Sequence, residues 1–172
     1  MKKFELTSEF VTFLGKKLFR IKALISFGNV KEGELGGFVE KEENLSNDGN
    51  AWVYGNAWVY GNARVCGNAE VYGNARVCGN AEVYGDAEVY GDADYATVHG
   101  FGSEYRTTTF FRTKAGNIGV KCGCFYGTLE EFRAKVKKTH GETKIAKEYL
   151  MVADLMEFRF SKGGSIDEKM GT

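Results

Sequence analysis

The sequence predicts a mainly β chain: a three-sided solenoid of about four short coils, an N-terminal β cap, and a C-terminal α+β unit of one hairpin and two helices. Three observations carry this expectation. The unit A-x-V-x-G-(N/D) runs seven times without an insertion from Ala51 to Asp92. A β-branched and aromatic stretch, "YRTTTFFRTK" and "IGVKCGCFY" flanking "AGN", follows it. Two amphipathic segments with helix-boundary residues come last.

Each six-residue unit holds one strand and one corner. Ala and Val two positions apart face the same side of an extended chain. The Gly-Asn or Gly-Asp that follows is a turn signal, because Gly accepts positive φ freely and Asn and Asp tolerate it. Three edges close a coil of 18 residues, with coils stacked about 4.8 Å apart. Upstream, Leu35, Gly37 and Val39 in "GELGGFVE" fall 18 residues before Val53, Gly55 and Ala57, which places a degenerate first coil at 33–50. Regular coils are expected at 51–68 and 69–86, and a further one that breaks down near Tyr95.

The valines Val53, Val59, Val65, Val71, Val77, Val83 and Val89, each followed four positions on by Ala57, Ala63, Ala69, Ala75, Ala81, Ala87 or Ala93, resemble the hexapeptide-repeat proteins. That resemblance implies a left-handed parallel β-helix and a homotrimer. The near-identical G-N-A-x-V-Y repeats ahead of a short C-terminal unit look like hexapeptide-repeat proteins of phages and prophages, which implies no activity by itself.

Composition bounds the function classes. At 172 residues and 43% hydrophobic, the chain suffices for one compact domain or two small ones. Lys plus Arg and Asp plus Glu are both 23, so no sequence-wide basic field draws in nucleic acid. "MKKFELTSEF" lacks an apolar run of signal-peptide length and no stretch approaches a membrane span, so a cytoplasmic protein is expected, in the host cytoplasm if phage-encoded. Cys66, Cys78, Cys122 and Cys124 lack the spacing of a disulfide framework and read as free thiols.

The 18-residue register also predicts columns of outward side chains. Tyr54, Tyr72 and Tyr90 form one; Trp58, Arg76 and Asp94 another; Arg64 and Glu82 a third. Trp52, Glu70 and Glu88 stack beside the tyrosines, and two carboxylates one above the other need compensation from solvent, an Arg of a partner subunit or a ligand. Trp52, Tyr54, Glu70, Tyr72, Glu88 and Tyr90 therefore make the candidate contact face, either a subunit interface or a ligand surface.

The flanks read as follows. "TLEEFRAKVKKTHG" has Thr128 as N-cap, Glu131 completing a capping box, and Gly141 as its end. "ETKIAKEYLMVADLMEF" carries Ile145, Tyr149, Val152 and Met156 on one stripe. In the second hairpin strand Ile118, Val120, Cys122 and Cys124 share the apolar face, so the Cys-x-Cys pair reads as packing and no metal site is assigned. The organisation is an N-terminal cap at 1–32, repeats at 33–98, an α+β domain at 99–160 and a flexible tail at 161–172.

Two functions follow. The first is a non-enzymatic oligomeric binding protein that inhibits or sequesters a host protein or small ligand, with Tyr105 and Arg106 of "GSEYRTTTFF" as further binding residues and no cofactor. The alternative is an acyltransferase. In enzymes of the resembled family a histidine acts as general base toward acetyl-CoA, and His99, in the alanine slot of the extrapolated register, is its counterpart here.

Overall fold

A computed structural model of the chain describes residues 1–161, so the expected tail lies almost wholly outside the described residues. The chain opens with a hairpin of β1 (Phe4–Phe13) and β2 (Lys16–Ala23). Leu14 and Gly15 between them both have positive φ, 48° and 77°, the two-residue geometry that matches strand twist. β2 then pairs antiparallel with β3 (Leu35–Val39). Gly36 and Gly37 let β3 lie flush on the next layer, since a Cβ on Gly37 would sit 2.5 Å from the Ala57 carbonyl oxygen.

The repeats supply seven strands of two residues each: β4 (Trp52–Val53), β5 (Trp58–Val59), β6 (Arg64–Val65), β7 (Glu70–Val71), β8 (Arg76–Val77), β9 (Glu82–Val83) and β10 (Glu88–Val89). They pair in parallel at the 18-residue interval, as in Trp52↔Glu70, Glu70↔Glu88, Trp58↔Arg76 and Arg64↔Glu82. Every Val of these strands, and each Ala of the unit from Ala51 to Ala87, is fully buried. Each buried valine contributes about 1.5–3 kcal/mol, which offsets the small size of the strands.

After Val89 a 3-10 turn at Asp92–Asp94 leads into a four-stranded antiparallel sheet of β11 (Tyr95–Val98), β12 (Thr108–Arg112), β13 (Ile118–Cys122) and β14 (Phe125–Thr128). Helices α1 (Leu129–His140) and α2 (Lys144–Phe160) follow. The Thr128 hydroxyl accepts from the Glu131 N–H and the Glu131 carboxylate from the Thr128 N–H, closing the capping box. Adjacent residues of β12 point to opposite faces. Phe110 therefore packs with Phe132, Tyr149 and Met156 under the helices, while Phe111 joins the valine and alanine core of the repeats.

The expected short left-handed parallel β-helix is corrected by this sheet structure. The chain is mostly β with several small separate sheets: five mixed strands in the order β1-β2-β3-β5-β8, three as β10-β7-β4, four antiparallel ones, and the pair β6-β9, with two helices at the C-terminus. Parallel pairing involves two-residue strands, and antiparallel strands take over at both ends. The expected first coil is also out of register. Val39 pairs with Val59 and Leu45 bridges to Val65, twenty residues apart, because the chain takes eight residues from Leu45 to Val53 where the next layer takes six from Val65 to Val71. At the other end Ala93 is exposed where burial was expected, since the turn at Asp92–Asp94 lifts it off the core.

Polar side chains close the two ends of the repeats. At one end the buried Lys3 ammonium donates to the carbonyls of Ala51 (2.9 Å) and Gly49 (3.3 Å), and the Asn44 amide to those of Ala63 (2.8 Å) and Gly61 (3.2 Å). At the other, backbone N–H groups of Glu82, Arg76 and Asp86 donate to Thr109 Oγ1, Asp92 Oδ1 and the Tyr126 hydroxyl. Buried backbone groups left without partners would each cost about 1–3 kcal/mol, so these contacts hold the flanking units onto the repeats.

Candidate binding face

The tyrosine column forms as a ladder. Tyr54 and Tyr72 stack with ring centroids 4.6 Å apart and planes 5° from parallel, and Tyr72 and Tyr90 at 4.7 Å and 8°. The repeat sets this spacing, because residues 18 apart sit on neighbouring strands and their rings inherit the strand separation. Tyr90 ends the ladder and is 57% exposed.

The two carboxylates beside the ladder differ sharply. Glu70 is buried, and its oxygens accept from the Tyr72 hydroxyl at 2.6 Å, the Tyr54 hydroxyl at 3.1 Å and the Lys114 ammonium at 3.0 Å. Burial alone would raise its pKa; the hydrogen bonds from Tyr72, Lys114 and Tyr54 outweigh it and hold the carboxyl below its ordinary value. Burial, with the neighbouring Glu70 charge, pushes the Tyr54 and Tyr72 hydroxyls well above theirs, so both stay protonated donors. Glu88 is half-buried, and among the described residues no Lys or Arg nitrogen lies within 4.0 Å of it. The compensation for Glu70 thus comes from the chain's own Lys114 on the β12–β13 loop, a source other than the solvent, partner Arg or ligand expected.

Other expected site residues are placed differently. Trp52 is fully buried, its ring meeting the edges of Phe4 (6.4 Å) and Phe27 (5.4 Å), because the N-terminal hairpin covers its layer. Its indole N–H has no partner among the described residues. Arg76 does cover Trp58, at 4.4 Å, but Asp94 leaves that column to bind Arg112 Nε at 2.9 Å and the N–H groups of Tyr90 and Gly91. Arg64 faces Glu82 in the pairing, while the Glu82 carboxylate takes the Lys121 ammonium at 3.7 Å.

Tyr105 is exposed at a φ of 50°, and Arg106 lies 3.9 Å from Glu104, both away from the ladder on the loop before β12. His99 is not in an alanine slot, since the chain has left the repeats at Tyr95; it is exposed, with Nδ1 2.9 Å from Thr107 Oγ1. The strand carrying Cys122 ends there, and a turn at Gly123 and Cys124 leads into β14, so Cys124 is exposed rather than on the apolar face. Cys122 and His140 line a small cavity of about 130 Å³ with Tyr149 and Phe132. Among the described residues no three His, Cys, Asp or Glu side chains converge as metal ligands.

Lys114 also edges a cavity of about 450 Å³ lined by Asp86, Asn117, Tyr126 and Glu131. Sequence reading missed Lys114, Lys121 and Lys3. The first two lie in and beside a hairpin turn, and only the docking of that hairpin on the repeats brings their ammonium groups to Glu70 and Glu82. Among the described residues no helix is long and apolar enough to cross a membrane. In comparison with known proteins, no family model matches the chain and no curated protein matches it.

Proposed function

We propose that the chain is a non-enzymatic binding protein that self-associates and captures a host protein or small ligand in the cytoplasm. The observation that supports it best is the tyrosine ladder, ordered by Glu70 and Lys114 and open at Tyr90. Preordered tyrosines contribute large contact area at little cost in conformational entropy. The exposed stripe of Met151, Leu155 and Phe158 on one face of α2 supports self-association, since contiguous apolar surface marks protein contacts. The repeats' likeness to phage and prophage proteins is the reason for naming a host component. Acyl transfer from acetyl-CoA has less support: His99 contacts a threonine hydroxyl, not a carboxylate that would orient and charge the ring as a general base.

Native mass measurement on untagged protein from fresh lysate tests the proposal. Subunit multiples carrying a co-purifying species support it, and loss of that species in a Tyr90→Ala variant assigns it to the ladder. A clean monomer whose melting temperature rises with acetyl-CoA, and not in His99→Ala, would overturn it in favour of the enzyme.

A further inference from the structure

We propose that α2 pairs antiparallel with α2 of a second copy of this chain across a two-fold axis, an inference that rests on the self-associating binding protein proposed above.

α2 is apolar on two opposite sides. Ala146, Tyr149, Ala153, Met156 and Phe160 are buried against α1 and the four-stranded sheet. Met151, Leu155 and Phe158, spaced four and then three residues apart, form a stripe on the reverse side and are 71%, 56% and 74% exposed. A helix that is apolar all round belongs in an interior, yet among the described residues nothing covers this second stripe.

The edges of the stripe point to what covers it. Glu148 and Arg159 stand eleven positions apart, about three helical turns, so both lie along the same edge. Among the described residues neither has an ion-pair partner. Arg159 is exposed, and the Glu148 carboxylate accepts the Gly102 N–H at 3.3 Å. The midpoint between the two falls between Ala153 and Asp154, with Met151 and Leu155 of the stripe on either side of it.

A two-fold axis through that midpoint, perpendicular to both helices, reverses the chain direction and keeps each edge facing its own counterpart. Glu148 then comes level with the second copy's Arg159, and Met151 with the second copy's Leu155. Symmetry makes each contact twice. On the other edge Asp154 meets its own counterpart near the axis, and its charge is already met by the Arg133 guanidinium at 2.8 Å, which also holds Glu157 at 2.8 Å. A parallel pairing would instead bring the two Glu148 carboxylates to one end and the two Arg159 guanidinium groups to the other. Charge thus selects a second copy in the antiparallel direction, with the self-complementarity that an isologous contact needs.

Sedimentation velocity over a dilution series of the full chain tests the pair, since a single helix–helix contact is small and its association depends on concentration. A monomer–dimer equilibrium is expected in the wild type, and a monomer throughout in Leu155→Asp. Glu148→Arg and Arg159→Glu should each weaken the dimer about tenfold, because each substitution acts twice across the axis. The double variant should regain most of the lost affinity, as the swap restores opposite charges. Leu14→Asn, in the exposed β1–β2 turn, should leave the dimer unchanged. Unaltered circular dichroism spectra confirm that the variants remain folded. An odd subunit number, or a multiple unchanged in Leu155→Asp, overturns the two-fold α2 pair and leaves self-association standing. A double variant no tighter than either single one overturns the antiparallel register. A wild-type chain that stays monomeric at every concentration overturns the pair and the self-association together.

Discussion

The Lys114 ammonium lies 3.0 Å from the buried Glu70 carboxylate, joining the C-terminal hairpin to the middle of the tyrosine ladder. Neither residue explains its own position alone. A buried carboxylate needs a cation, and the hairpin needs an anchor on the repeats.

Removing the cation should destabilise the fold. Lys114→Met leaves Glu70 charged and without its counterion, at an expected cost of about 1–2 kcal/mol. That is less than for a fully buried pair, since the Lys114 side chain is 41% exposed. A urea midpoint measures it, and a double-mutant cycle with Glu70→Gln should show coupling; strictly additive effects would argue against the pair.

The pH dependence follows from the lowered pKa of Glu70. A carboxyl whose folded pKa lies below its unfolded value of 4.5 contributes stability that is fully present above that value and is lost as pH falls through the folded pKa. The stability gap between wild type and Glu70→Gln should therefore narrow on acidification from pH 6 to pH 3. A gap that stays constant would mean the carboxylate is not held in its charged form.

The middle and the open end of the ladder should respond differently to loss of a hydroxyl. Tyr72→Phe removes a 2.6 Å bond to a buried carboxylate, worth about 1.5–3 kcal/mol. Tyr90→Phe loses only an exposed group and should shift the melting temperature little. Equal shifts would show that the Glu70 bond is not what orders the ladder.

Lys3 should hold the N-terminal hairpin. Lys3→Met leaves the Ala51 and Gly49 carbonyls without their donor, so about 2 kcal/mol of stability and the slow amide exchange of β1 and β2 should be lost together. Burial, partly offset by Asp48 and Cys66, lowers the ammonium pKa from 10.5 to about 8. Between those values the unfolded chain binds more protons, so wild type should gain stability over Lys3→Met as pH rises from about 8 to 10.5. A pH-independent difference would contradict the burial of a charged amine.

Features set by neighbours in the chain were legible from the sequence. The Thr128–Glu131 capping box, the Gly141 end and the stripe of Tyr149, Val152 and Met156 depend on side chains three to seven residues apart, whose spacing helix geometry fixes. The stacking of Tyr54, Tyr72 and Tyr90 was legible too, because an uninterrupted six-residue unit repeats its own strand and corner. Reading stopped where the unit stopped. Two extra residues between Leu45 and Val53 shift Leu45 onto Val65 and Val39 onto Val59, and no local signal marks that offset.

Taken by itself, then, the amino-acid order determined the inward valines and alanines, the tyrosine ladder and the caps of α1, since each follows from short-range periodicity. Tertiary structure decided that antiparallel strands close both ends of the repeats, that Trp52 is covered, and that Glu70 and Glu82 receive lysines. Those outcomes depend on where a distant hairpin docks, and docking is settled by burying Phe111 and pairing the last backbone N–H groups rather than by any pattern along the chain.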